Sequence, residues 1–236
     1  MRKDDICEIL QEVDETLLLI GEQYVKAHED KDIQEVVKVK VKNAMENFRS
    51  CLDYCLHDID ELILNQHREL IYFPYKGSRN AFKAAINKNF KGLRNKNSKV
   101  YDVLESVQDY NNPASPWLTI LCRRTNKVKH DKLLKQSRQD NHQVNIPGLG
   151  KFKNNSNVVF NNCTMVTDKG VIPIDFSIDH QGNITSNKPI DPRLSIEKID
   201  WVTFTIANTN RDVLEFLTQC RNEIGRMVKQ IYLEIG

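Results

Sequence analysis

Arg123-Arg124-Thr125-Asn126-Lys127-Val128-Lys129-His130 brings two guanidiniums, a carboxamide and an imidazole into one short run. An imidazole titrates near pH 6.5 and can take or give a proton close to neutrality. A guanidinium grips a phosphate through paired N–H donors. On a helix a seven-residue step returns to within about 20° of its starting direction, so Arg123 and His130 share a side, and Asn126 stands one turn before His130 on nearly that side. The set suits metal-independent cleavage of RNA, whose own 2′-hydroxyl is the nucleophile. His130 would transfer the proton, Arg123 or Arg124 would hold the scissile phosphate, and Asn126 would orient the imidazole or a phosphate oxygen. Lys127, Lys129 and Lys132 would add non-specific phosphate affinity that weakens steeply with salt. The same residues also suit a structural role, with Asn126 and His130 hydrogen-bonding across helices to Asp53 or Asp58 and the lysines forming a solvated face. Both readings stand at this point.

The helix carrying these groups is expected to follow the loop Asn111-Asn112-Pro113-Ala114-Ser115-Pro116, with Ser115 as N-cap and Pro116 at the first helical position, and to run to about Gln136. Around it, Ile6, Ile9, Leu10, Val13, Leu17, Ile20 and Tyr24 recur at helical spacing over residues 4–28. A second pattern, Val37, Val41, Ala44, Phe48, Cys51, Cys55, Ile59 and Leu62, predicts a long helix over 32–65 that serves as the spine of a bundle. Shorter helices are expected over 80–90 and 98–107, with Ile71–Tyr75 a connector or short strand. Beyond residue 140 the texture changes to turn-rich, β-branched segments, with Asp168-Lys169-Gly170 and His180-Gln181-Gly182-Asn183 placed like hairpin turns. A closing helix over 211–235 carries the stripe Val213, Phe216, Leu217, Cys220, Ile224, Met227, Val228 and Ile231. The expected fold is mainly α: a helical bundle over 1–140, a small antiparallel β insertion over 141–208, and a C-terminal helix over 209–236 packing back on the bundle.

Composition narrows the function classes. The chain has 236 residues, 40% hydrophobic and 28% charged, enough for a core without disulfides or metal. Its net charge of +2 conceals an uneven distribution: residues 1–75 hold 9 Lys/Arg against 17 Asp/Glu, and residues 76–135 hold 14 against 4. The basic middle is the footprint of a phosphate-bearing partner, or else it is neutralised by the acidic first segment within one fold. No apolar run approaches the length that spans a bilayer, and the first residues lack the apolar core of a signal peptide, so a cytoplasmic location is expected. The six cysteines are scattered and read as reduced core residues. Cys51 and Cys55 share a helix face, but His57 lies far round the helix from them and no Cys-x-x-Cys completes a metal site. Pro147-Gly148-Leu149-Gly150 lacks the third glycine and following helix of a dinucleotide site. Asp175, Asp179 and Asp191 fit no calcium loop. Tyr72, Phe73 and Tyr75 beside Lys76 and Arg79 would stack bases or else cap the bundle end. No cofactor is expected.

The 123–130 segment resembles the Arg-x(4–6)-His signature of the HEPN superfamily. More narrowly, Trp117-Leu118, Asn126-Lys127-Val128-Lys129-His130, Arg49-Ser50-Cys51-Leu52-Asp53 and Tyr72-Phe73-Pro74 resemble a group of bacterial proteins with an Asn-x-x-Lys-His helix, the likeness covering roughly residues 40–135. Arg124 stands where family motifs usually place a polar Asn, Asp or His. The resemblance implies a helical bundle and a metal-independent endoribonuclease of a bacterial toxin or antiviral defence system. It also implies a homodimer in which two copies of the motif face each other, and an antitoxin or sensor protein as partner. Other members of the superfamily are catalytically silent, and the resemblance equally allows an inert interaction or sensor module.

Overall fold

A computed structural model describes residues 1–128, 133–154, 157–168 and 170–236, leaving out the side chains of residues 127 and 128. The chain separates into two compact units. Met1–Val25, Gln34–Ser137 and Phe204–Gly236 form the first, and Lys26–Ile33 and Arg138–Thr203 form the second.

The first unit is built from helices whose apolar spacing sets their buried faces. α1 (Lys3–Glu29) buries Ile6, Leu10, Val13 and Ile20, one stripe at helical intervals, and places Asp4 and Asp5 at the positive end of its dipole. α2 (Lys38–Leu62) is buried over a wider arc, with Val41, Met45, Phe48, Leu52, Cys55 and Ile59 all inside. It stops without glycine or proline: Asn65 adopts the left-handed conformation (φ 56°), and the Gln66 N–H returns to the Asp60 carbonyl at 2.9 Å. Short helices follow, α3 (Arg79–Asn89), α4 (Leu93–Lys96) and α5 (Ser98–Ser106), then a single 3₁₀ turn at Asp109–Asn111. α6 (Leu118–Val128) and α7 (Val213–Ile235) complete the unit, and both pack on α2. α7 opens on Asp212, whose carboxylate accepts from the Glu215 N–H at 3.0 Å.

α6 differs from expectation at both ends. Its start is not capped by Ser115. Asp109 reaches across from the 3₁₀ turn and accepts from the N–H groups of Trp117, Leu118 and Thr119 at 3.0, 3.1 and 2.8 Å. One carboxylate thereby satisfies three orphan donors and faces the helix dipole. Ser115 instead accepts from Gln219 of α7, at 2.9 Å to its hydroxyl. Nor does the helix reach Gln136, where the chain already enters β1 (Gln136–Ile146).

The second unit is β-structured around a core of its own. β1, β2 (Gly150–Lys153) and β6 (Glu197–Ile206) form one antiparallel sheet in the order β2-β1-β6, and β3 (Val158–Thr167), β4 (Gly170–Ile178) and β5 (Ile184–Thr185) form another in the order β3-β4-β5. β3 and β4 make a long hairpin from the pair Val158–Ile178 to Thr167–Gly170, with a bulge between Phe160 and Cys163 where Asn162 has φ 53°. Val144 and Ile146 of β1 meet Ile172, Ile174, Phe176 and Ile178 of β4 in a closed apolar cluster.

This corrects the expected fold class. Among the described residues helix accounts for 49% and strand for 21%, so the chain is a mixed α/β protein with two three-stranded sheets, not a mainly helical bundle with a small insertion. The expectation failed because β1 carries almost no hydrophobic signal, its first seven residues Gln136–His142 containing no apolar side chain. Hydrogen bonds substitute for apolar burial there. Gln136 both accepts from Val36 N–H (2.7 Å) and donates to Val36 C=O (2.9 Å), while Arg138 donates to the carbonyls of Asp30 and Ile33 at 2.8 and 2.9 Å.

Candidate functional site

α6 buries Trp117, Leu118, Leu121, Cys122 and Thr125 and turns Arg123 and Asn126 to solvent. The Thr125 hydroxyl is turned back onto its own helix, donating to the Leu121 carbonyl at 2.6 Å. Of the residues expected to act together, Asn126 lines a cleft of about 440 Å³ within the first unit, and Arg123 and Arg124 are not among its walls. Arg124 is half-buried and donates to the Asn208 carbonyl at 3.3 Å. His130, Lys129, Lys132 and the side chain of Lys127 lie outside the described residues. Neither Asp53 nor Asp58 meets Asn126, whose carboxamide nitrogen donates instead to the Tyr75 hydroxyl at 3.4 Å.

Four stretches distant in sequence build this cleft: Arg49 from α2, the connector Tyr72–Lys76, Ala85 and Asn89 of α3, and Asn126 of α6. Arg49 is 7% exposed and fully engaged around its edge. Its Nε pairs with Asp53 at 3.3 Å, Nη1 donates to the Cys122 sulfur at 2.6 Å, Nη2 to the Phe73 carbonyl at 3.5 Å, and the guanidinium lies 5.8 Å from the centre of the Tyr75 ring. Asp53 in turn accepts from the Phe73 N–H at 2.8 Å. The pair one helical turn apart on α2 thus clasps both backbone groups of Phe73.

A buried glutamine secures the next residues of the connector. Gln108 donates to the carbonyls of Pro74 (2.9 Å) and Leu104 (3.1 Å) and accepts from the Lys76 N–H (3.0 Å). With the backbone held on both sides, Phe73 and Pro74 sink into the core, Tyr72 stands out at 66% exposure, and Tyr75 is half-buried in the cleft wall. Arg79, grouped with these aromatics by sequence, pairs instead with Glu105 at 2.8 Å. On the opposite wall the Asn89 backbone is held by Arg68, itself anchored on buried Asp60 and lying 4.9 Å from the Phe90 ring centre.

Electrostatics separate what this cleft can and cannot do. Burial pushes the Asp53 carboxyl above its ordinary range, with Arg49 pulling the other way. Burial also pushes the Cys122 thiol up to about 12, against the opposing pull of Arg49, so the sulfur is a neutral acceptor for the guanidinium and not a nucleophile. Among the described residues no imidazole lines the cleft. What it presents is a guanidinium already held by Asp53, Cys122 and the Phe73 carbonyl, two tyrosines, two carboxamides and the Lys76 amine. Guanidinium, carboxamide, amine and tyrosine are the group types that suit a phosphodiester and a stacked base. Proton transfer would have to come from elsewhere.

Arg49 and Asp53 stand in the sequence inside an apolar stripe, between Phe48 and Cys55. Two opposite charges at i, i+4 on a buried face are a signal for a desolvated pair, and that signal marks Arg49 although the local motif around His130 does not. Asn89 and Gln108 carry no comparable sequence mark. Among the described residues no group of three or more His, Cys, Asp or Glu could hold a metal ion. Asp175, Asp179 and Asp191 each have local roles: Asp175 pairs with Lys188 at 3.3 Å, Asp191 with Arg193 at 2.6 Å, and Asp179 caps the 180–183 turn. No helix among the described residues is long and apolar enough to cross a membrane. The chain matches no family model, no curated protein and no solved structure with which it was compared.

Proposed function

We propose that the first unit binds single-stranded RNA in the Arg49–Tyr75–Asn126 cleft and cleaves it without a metal ion, as a cytoplasmic HEPN-like endoribonuclease of a bacterial toxin or defence system. The observation that supports this is the convergence of Arg49, the Tyr72–Lys76 segment and Asn126 in one cleft. All three belong to the stretches whose resemblance suggests the family, and they meet beside the helix that leads to His130. In this reading Arg49 attracts the phosphate, Tyr72 and Tyr75 take a base, and Asn126 orients the scissile group. His130 removes the proton from the 2′-hydroxyl as that oxygen bonds to phosphorus. The bond to the 5′-oxygen then breaks, and that oxygen takes up a proton, leaving a 2′,3′-cyclic phosphate and a 5′-hydroxyl. A homodimer supplying a second copy of the motif, and an antitoxin or sensor that restrains it, complete the proposal.

The test is incubation of the purified full chain with mixed RNA in excess EDTA. Cleavage that survives chelation, yields cyclic-phosphate ends and disappears in His130→Ala supports the enzyme. A folded protein that binds RNA without cutting it supports the second reading, an inert binding or sensor module. One observation favours that second reading: Arg49 is already paired with Asp53, Cys122 and Phe73, which suits a fixed binding charge better than a group that must reorganise during a reaction.

A further inference from the structure

The second unit has a cleft of about 440 Å³ in which Lys31 and Lys198 are set against Asp140 and Asp200, a balance that favours no ligand charge. Its sheet edges are more selective. A strand at the edge of a sheet presents backbone N–H and C=O groups that another strand can pair, and proteins guard against this with short strands, charged side chains or proline. Three of the four edge strands in this unit are guarded: β2 has four residues, two of them Lys151 and Lys153, β5 has two residues, and β6 opens with Glu197, Lys198 and Asp200. β3 is the exception. Its ten residues from Val158 to Thr167 include no charge and no proline, and among the described residues β4 is the only strand that pairs with it.

The bulge in β3 gives this edge an internal symmetry. Residues opposite each other on paired strands point to the same side of the sheet, and on β4 the buried side belongs to Ile172, Ile174, Phe176 and Ile178. Val166 lies opposite Val171 and Val159 opposite Ser177, both on the other side. Seven residues apart on a regular strand, Val159 and Val166 would point to opposite sides. The extra residue of the bulge between Phe160 and Cys163 brings them to the same one, where they are 68% and 79% exposed. Antiparallel pairing of β3 with a second β3, about a two-fold axis at Asn162–Cys163, therefore sets Val159 against the partner's Val166 and Val166 against the partner's Val159. In the same register Phe160 meets the partner's Met165, ring to thioether, a favourable contact.

We propose that β3 is a self-association edge: two copies of the chain pair antiparallel through Val158–Thr167 and join their β3-β4-β5 sheets into one continuous sheet. An uncharged strand gives an acidic or basic partner nothing to recognise, whereas the matched valines and the Phe160–Met165 contacts recur twice when the partner is the same strand. The pairing is isologous, so it uses up both edges and stops at a dimer. The contact lies wholly in the second unit and does not rest on the nuclease reading, whose homodimer brings together two copies of the 123–130 motif.

Sedimentation velocity of the full chain over a concentration series tests this. A reversible equilibrium between monomer and dimer, with no larger species, is expected. Val159→Lys/Val166→Lys places like charges directly opposite each other at two points of the paired edge and should weaken dimerisation about tenfold or more. Val159→Glu/Val166→Lys places opposite charges in the same register and should dimerise about tenfold or more tighter than the like-charged variant. Both positions are exposed, so neither variant threatens the fold of the monomer, which thermal unfolding at low concentration checks. A chain that stays monomeric, open-ended polymers, or equal loss of dimer in both charge variants would overturn the proposal. A dimer that the like-charged variant leaves intact is held elsewhere, as pairing through the 123–130 motif requires, and overturns this proposal alone.

Discussion

Arg49 is placed to do two jobs, and one pair of substitutions separates them. Arg49→Met removes a side chain that is 8% exposed and leaves the carboxylate of Asp53, 21% exposed, with the Phe73 N–H as its remaining partner. Breaking a buried ion pair from one side costs about 3–5 kcal/mol. Asp53 is not sealed and can take up a proton, so we expect about 2–4 kcal/mol here, or a fall in Tm of about 5–15 °C for a chain of this size. Arg49→Met/Asp53→Leu removes both charges and should return to within about 1 kcal/mol of the parent, because no isolated charge is left in the core. RNA affinity should behave differently. Both variants lack the guanidinium, so both should lose about tenfold or more in binding at low salt, however stable they are. Thermal unfolding and a filter-binding titration at two salt concentrations measure the two effects. If the double variant recovers RNA affinity together with stability, Arg49 is a scaffold residue and the assignment of the cleft to phosphate fails. The pH dependence gives a second check. Asp53 has its folded pKa raised above the ordinary range, so the folded state binds more protons than the unfolded one in the window between. Its contribution to stability is then greatest below the ordinary value and lost as pH rises through the raised one. Removing Arg49 raises that pKa further, so the deficit of Arg49→Met should shrink as the pH is lowered from 7 toward 5.

Other consequences are simpler to state. Alkylation of the native protein should modify Cys7 and Cys163, which are exposed, and spare Cys51, Cys55, Cys122 and Cys220, whose thiols burial pushes up, those of Cys51 and Cys122 to about 12; mass spectrometry should find all six modified after denaturation. Asp109→Ala strips the acceptor from three N–H groups at the start of α6 and should destabilise the chain by about 1–2 kcal/mol, measured by denaturant titration. Tyr232→Phe removes a hydrogen bond of 2.5 Å to the fully buried Asp58, which keeps its bonds from Arg2 N–H and Nη1; the expected loss is about 1.5–3 kcal/mol in the same assay, and no loss would mean that Arg2 alone satisfies the carboxylate.

The helices were legible because their stabilising term is apolar burial at a fixed period. Ile6, Leu10 and Val13 of α1, or Val213, Phe216, Leu217 and Cys220 of α7, announce their buried faces without help from the rest of the chain. α6 was legible only in its middle. Its first turn depends on Asp109, several residues upstream and separated from it by a proline-containing loop, and no local rule ties that carboxylate to Trp117. The β unit was underestimated for a different reason. Asn141 is buried through bonds to Thr203 (3.0 Å) and Asn154 (2.8 Å), partners in β6 and just past β2, and a strand held this way looks like a polar loop until its partners are known.

The two clefts show the same limit from the side of function. The sequence draws attention to Arg123, Arg124 and His130 because catalytic residue types cluster there within one helical stretch. The described residues of that stretch contribute a single cleft group, Asn126. The charge that floors the cleft comes from Arg49, and what makes Arg49 informative is its position inside an apolar stripe, one turn from Asp53. A cation in that position is costly unless it is paired, and this pair also fixes the N–H and C=O of Phe73, so the desolvation of Arg49 and the shape of the Tyr72–Lys76 wall have a common cause. The polar strand β1 makes the same point in the second unit. Asp140, Asn141 and His142 read as loop residues, yet between them they help line a cleft whose walls also hold lysines and an indole. In each unit some residues that break the local hydrophobic pattern line a cavity, Arg49 in the first and Asn141 in the second, while others such as Asp58 and Gln136 are buried in hydrogen bonds alone. Each is tolerated because its polar atoms find partners inside the fold.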